Sequence, residues 1–173
     1  MSTQQIKMLS FTLGLIFVLG IAAGCSTTGS LKMHESMEGK PIKGAVVALI
    51  ISSPNANVND NVVIKLWEQL TAHLLGRGLF KNVTGEADQQ ADYKITIKLT
   101  EINEVSGVAR VVWGGLAGTN KIAGDVSVID VKTGKTVRSF SFTGESASHP
   151  FSGKSDIRDA IDRATEEIIK GLS

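Results

Sequence analysis

From Met8 to Ala23 the chain is almost unbroken apolar, interrupted only by Ser10, Thr12 and two glycines, and a polar lead with one basic side chain, Lys7, precedes the run. A helix that spans a bilayer needs ~20 apolar residues. This run is shorter, and a Ser/Thr/Gly stretch follows it in place of a basic flank, so residues 1–24 read as a secretion signal that is cleaved.

Beyond the signal the pattern becomes that of a folded domain. Ser26 to about Lys43 shows no sustained period and is expected to be a linker that lets the domain stand off a membrane. Residues 25–43 are thus assigned as lipidated cysteine and flexible linker, and residues 44–173 as a single domain. Ala45 to Ile51 is continuously apolar and rich in β-branched residues, which suits a central strand covered on both faces. Val63, Leu66, Trp67, Leu70 and Leu74 recur at helical spacing, with Asn59 or Asp60 as cap and Gly76 and Gly78 as stop. A short apolar stretch, Leu79 to Val83, follows.

Tyr93, Ile95, Ile97 and Leu99 alternate with Lys94, Thr96, Lys98 and Thr100, which predicts a half-buried strand. Ile102 breaks the alternation and points to a bulge or strand end near Glu101. Val108 to Trp113 reads as a further strand or the continuation of this one, interrupted by Gly114 to Gly118. The runs Ile122–Val131 and Thr136–Ser146 flank Lys132-Thr133-Gly134-Lys135, and a hairpin with Gly134 at positive φ is the simplest arrangement. Last, Ser155 can cap a helix whose Ile157, Ala160, Ile161, Ala164, Ile168 and Leu172 form one stripe. Strand, helix, several strands, helix predicts an α+β fold: a two-layer sandwich with a mostly antiparallel sheet and two helices packed on one face. The opposite sheet face is then open to a partner.

The apolar run ends in Ala22-Ala23-Gly24-Cys25, which resembles the lipobox of bacterial lipoproteins: Ala22, Ala23 and Gly24 lead to the cut, and Cys25 takes the diacylglyceryl group. It departs from that pattern at Ala22, where leucine is usual. Cys25 is the one cysteine of the chain, so with its sulfur acylated no thiol remains for disulfides, thiol catalysis or a cysteine metal site. The diacyl thioether and a further N-acyl chain of the palmitate class would anchor the protein in effect permanently, at ~0.8 kcal/mol per buried methylene. Ser26 after the cysteine resembles lipoproteins sorted to the outer membrane, facing the periplasm. Cleavage takes 24 residues from 173 and leaves 149, enough for one domain burying about 70% of its unfolded surface. Loss of Lys7 reduces 18 basic and 17 acidic side chains to 17 of each, which gives no electrostatic case for nucleic acid.

Candidate chemistry is sparse. Gly134-Lys135-Thr136 matches the tail of a phosphate loop, but Ile129 stands where that loop needs glycine and both flanks read as strands. Gly114-Gly115-Leu116-Ala117-Gly118 has Trp113 in place of the first glycine of a dinucleotide turn and reads as a turn or bulge. His34, His73 and His149 are scattered, and none has a partner at metal-ligand spacing. No nucleophile elbow is present, so neither a catalytic group, a metal site nor a cofactor is assigned. Trp67, Phe140 and Phe142 read as core. Trp113, beside Gly114, Gly115 and Gly118, is the aromatic that core packing explains least, and these four are the candidate interaction surface.

Ala91-Asp92-Tyr93, Gly107-Val108-Ala109-Arg110 with Gly114 to Gly118, Asp130 to Lys135 and Gly144-Glu145-Ser146 occur in that order, and Gly78-Leu79-Phe80 follows the first helix. From Ala91 to the C-terminus the chain resembles a family of bacterial lipoproteins, domain of unknown function forty-four ten. It departs from the family after Glu145, where His149-Pro150-Phe151 replaces a second glycine cluster. The resemblance implies a location and a fold rather than a mechanism. Together these features favour a non-enzymatic adaptor or assembly factor, held at the membrane through Cys25 and working with an envelope protein. The alternative is a carrier or sensor with an apolar ligand between helices and sheet, and an enzyme would require His149 or His73 to meet an acid and a nucleophile in one cleft.

Overall fold

A computed structural model describes residues 27–35, 42, 44–53, 60–85, 90–105, 118–146 and 157–173. Six strands, β1 (Thr28–Glu35), β2 (Val46–Ser52), β3 (Asn82–Thr84), β4 (Tyr93–Asn103), β5 (Lys121–Asp130) and β6 (Thr136–Glu145), form one sheet in the order β1-β6-β5-β4-β2-β3. β2 pairs in parallel with β3 and β4, and the other three pairings are antiparallel. Helix α1 (Asp60–Gly76) lies over β2 and β3, helix α2 (Ile157–Leu172) over β1, β5 and β6, and the two helices touch along one face of the sheet. The chain is therefore the α+β two-layer sandwich that its patterns predict.

The apolar stripes meet where the sequence places them. Leu66, Leu70 and Leu74 of α1, Ile161 and Ile168 of α2, and Ile95, Ile97, Leu99, Phe140 and Phe142 of the sheet are all buried in one core. Gln69 Nε2 donates to Asp162 Oδ1 at 2.6 Å and ties the helices together above it. At the foot of α1, Leu79 N donates to the Leu74 carbonyl and Gly78 takes φ +62°, so the glycine stop works as read. β4 bulges between Leu99 and Glu101, where Ile102 disturbs the alternation. The β5–β6 hairpin turns through Gly134 at φ +67°, with Gly134 N on the Asp130 carbonyl and Thr133 N on Asp130 Oδ1. Those bonds hold the exposed Asp130 carboxyl below its ordinary pKa, the Thr133 amide contributing most.

One expectation changes. The stretch expected as linker contains β1, which pairs with β6 from Thr28 opposite Glu145 to Met33 opposite Phe140, so the folded unit begins well before residue 44. Gly29, Leu31 and Met33 lie on the helix side and Ser30 and Lys32 on the other, a thin alternation that becomes stable only once β6 is beside it. β2, expected to be covered on both faces, lies one strand from the sheet edge and has α1 over one face, with Ala48 buried on the other. Beside Ala48 on that side stand Val46 and Ile50, both half-buried. The expected strand Val108 to Trp113, the caps Asn59 and Ser155 and the signal peptide lie outside the described residues.

At Gly144 the backbone of α2 crosses directly over β6: a Cβ there would meet Ala164 N and Ala160 O. Farther along, the ring of Phe140 faces Gly171. α2 therefore starts at the Glu145 end of β6. Thr28, Glu145, Lys121 and Asn103 form one row across the sheet, so the start of β1 and the end of β4 share that end of the molecule. The β5–β6 turn is at the other, ~30 Å away at ~3.3 Å per strand residue.

Candidate functional site

The sheet face away from the helices is the one broad surface that no described element covers, and its side chains follow from register. Lys32, Ser141, Asp125 and Lys98 stand in one row across β1, β6, β5 and β4, with Ser30, Thr143 and Ala123 in the next. Period 2 along each strand sends these residues outward while Phe140, Phe142 and Val126 point to the core.

Within the first row the side chains are joined. The β1 register shifts between Met33 and Glu35, and the extra residue, His34, is aimed so that its Nε2 lies 2.7 Å from Ser141 Oγ. Ser141 Oγ in turn donates to Asp125 Oδ1 at 2.6 Å. A serine hydroxyl has one proton; with that proton on Asp125, His34 Nε2 is the donor to Ser141. A hydrolytic triad has the histidine between serine and acid so that it can take the serine proton. Here the serine is in the middle, on an exposed sheet, and the chain of bonds orders a polar surface rather than generating a nucleophile.

The end of the face at Thr28 and Glu145 is also tied. Lys121 Nζ is 2.8 Å from Glu101 Oε2, and this hydrogen bond raises the Lys121 pKa above its ordinary value. Thr28 Oγ1 donates to Glu145 Oε2 at 3.2 Å. Behind them the buried Asn120 and Ser146 form a latch: Asn120 N donates to Ser146 Oγ at 3.0 Å, Ser146 N to the Asn120 carbonyl, and Val105 N to Asn120 Oδ1 at 2.8 Å. Three chain segments, the ends of β4 and β6 and the start of β5, are thus fixed together.

Of the residues singled out from sequence, Gly118 is described: it is exposed, with φ +86°, two residues before the latch. Trp113, Gly114 and Gly115 lie outside the described residues, as do Ala22, Ala23, Gly24, Cys25 and His149. His73 is exposed on α1, away from the His34 row. Among the described residues no group of His, Cys, Asp and Glu is placed to hold a metal, and no helix is long and apolar enough to cross a membrane. Where a carrier would hold an apolar ligand, Leu66, Leu70, Ile95, Ile168 and Phe140 are packed against one another without exposed surface. The His34–Ser141–Asp125 chain and the latch were not legible in the sequence, though Ser146 falls in the Gly144-Glu145-Ser146 element.

A sequence family described as a domain of unknown function (DUF4410) matches residues 51–150. The match begins earlier than the resemblance from Ala91 onward, taking in α1, and it covers more than half of the chain. The chain belongs to this family. Among solved structures it is similar to the PelC dodecamer from Paraburkholderia phytofirmans in two crystal forms. One shares 16% identity at a TM-score of 0.59, covering 84% of this chain and 97% of PelC. The other, of a single-substitution variant, shares 20% at 0.56, covering 84% and 95%. At such identities the likeness is one of fold. Comparison with curated proteins gives no match.

Proposed function

We propose that this member of the DUF4410 family is a lipid-anchored envelope lipoprotein, facing the periplasm from the outer membrane, that acts as an adaptor or assembly factor with the open sheet face as its docking surface. The anchor rests on the signal-like run, on Ala22-Ala23-Gly24-Cys25 and on Ser26. The docking role is carried by one observation: a face of four strands on which His34, Ser141 and Asp125 are held in place by hydrogen bonds to one another, with no described element lying over them. Side chains that are already ordered lose little rotamer freedom when a partner arrives, which lowers the cost of association. The polar row also selects its partner, because each hydroxyl or charge taken out of water must be matched.

The test is photo-crosslinking in cells from Ser30 and Ser127 on this face, with Glu68 on the exposed side of α1 as control, in the wild type and in Ser141→Ala. A defined envelope protein captured from Ser30 or Ser127, absent from Glu68 and reduced by Ser141→Ala at unchanged protein level, is the expected result. Capture from Glu68 alone overturns the assignment of the face. Intact mass beside Cys25→Ala tests the anchor: loss of residues 1–24 with added acyl mass supports it, and an unacylated mature chain overturns it. A second reading, in which the partner is another copy of this chain, is favoured by β1, whose outer edge no described strand pairs, and PelC is itself a dodecamer. Native mass spectrometry of the acylated protein separates the two.

A further inference from the structure

The distance between Cys25 and the folded domain is set by the start of β1. Thr27 Oγ1 accepts a hydrogen bond from Arg163 Nε of α2 at 2.5 Å, and Thr28 is already paired with Glu145 in the sheet. Ser26 alone separates that fixed point from Cys25. Two Cα steps span at most ~7 Å, whereas a flexible tether of 19 residues would give an r.m.s. reach of ~24 Å.

We infer that the bilayer surface is a partner of the domain itself: the end bearing Thr27, Thr28, Glu145 and Lys121 is seated on the lipid headgroups, with the strands rising away from the membrane. This rests on the acylation of Cys25. The acyl chains fix the cysteine at headgroup depth, and Thr27 and Thr28 place the first described residues of the chain at this end of the sheet, opposite Glu145. A single α-helix is ~10 Å across, so a tether of ~7 Å leaves no room for a second protein between Thr27 and the lipid. Near the tether Arg163 is paired with Glu166 at 2.6 Å, Lys121 with Glu101 at 2.8 Å, and Glu145 accepts from Thr28, so these two cations are already neutralised within the domain and zwitterionic headgroups are the surface proposed. The β5–β6 turn then stands ~30 Å out. Whatever docks on the open face does so beside the lipoprotein, within that distance of the bilayer.

The experiment uses acylated protein purified from cells and reconstituted in phosphatidylcholine vesicles that carry a headgroup nitroxide. A fluorophore is placed through Glu104→Cys, at the anchor end, or Lys132→Cys, in the β5–β6 turn; the thioether at Cys25 takes no label. The expected result is quenching several-fold stronger at position 104 than at 132, with the difference lost when ten Gly/Ser residues are inserted between Ser26 and Thr27. Equal quenching at both positions in acylated, vesicle-bound protein overturns the seating and leaves the lipoprotein reading intact. A chain without acyl mass that stays off the vesicles overturns the lipoprotein reading, and the seating with it.

Discussion

Replacing Gly144 with alanine tests the packing of α2 on the sheet most directly. The added Cβ would fall on Ala164 N and Ala160 O and lie 2.9 Å from Ala164 Cα, all backbone atoms that no rotamer change can move aside. Carbon atoms rest ~3.5–4.0 Å apart, so helix and strand must separate by ~1 Å. A gap of that size forfeits a quarter to a half of each contact well, and α2 holds Ile157, Ile161, Ile168, Ile169 and Leu172 in the core. Overpacking of this kind costs ~1–3 kcal/mol; with backbone on both sides the upper end applies, about 2–3 kcal/mol. For a domain of this size each kcal/mol moves Tm by ~2–4 °C, so Gly144→Ala is expected to melt about 4–12 °C lower. Thermal unfolding followed by circular dichroism, on the mature chain carrying Cys25→Ala, measures it. Gly76→Ala is the control: nothing lies within 4 Å of its Cβ, and alanine is the better helix residue, so Tm holds or rises slightly. A Gly144→Ala protein melting within ~1 °C of its parent would refute the close crossing.

Three further outcomes are expected. Asn120→Ala leaves the Val105 amide without its side-chain acceptor at a buried site, and urea unfolding should show a loss of ~1–3 kcal/mol. Asp130, whose pKa is depressed by the Thr133 amide, contributes stability that is complete above the ordinary carboxylate value of 3.8 and is lost as pH falls through its lowered value. The urea midpoint of Asp130→Asn should therefore lie below wild type at neutral pH and converge with it in acid; a gap independent of pH would refute the assignment. A chain beginning at residue 44 lacks β1, so it should unfold at lower urea and self-associate through the bared edge of β6 in light scattering, whereas a chain beginning at Thr27 should not.

What was legible in the sequence is what short-range patterning encodes. Tyr93 to Thr100 alternates cleanly because one face enters the shared core and the other faces away from it, and Ile102 betrays the bulge because it restores the inward face out of phase. Gly134 marks its turn through a local φ requirement. β1 escaped notice for a tertiary reason: its helix-facing residues begin with a glycine, and a Cβ at Gly29 would lie 2.6 Å from Glu167 Oε1, so the position under α2 that should announce a strand favours the smallest side chain. The polar chain on the open face was equally out of reach, since His34 and Ser141 lie 107 residues apart and meet only through the β1–β6 register. The latch joins Asn120 to Ser146 across 26 residues in the same way.

β1 joins the two halves of the proposed function. It is both the continuation of the tether and the strand that contributes Ser30, Lys32 and His34 to the open face, and Arg163 pins its start to the helix layer. A flexible linker would decouple anchor from docking surface and let the domain sample orientations; a strand fixed in the sheet from Thr28 does the opposite. With Cys25 acylated as proposed, pull on the lipid would be transmitted along β1 and shared across its hydrogen bonds to β6. Under the proposed docking role, residues that supply little hydrophobic signal of their own would set the height at which a partner engages, and lengthening the chain between Ser26 and Thr27 is expected to disengage a partner held at the membrane without altering any residue of the docking surface.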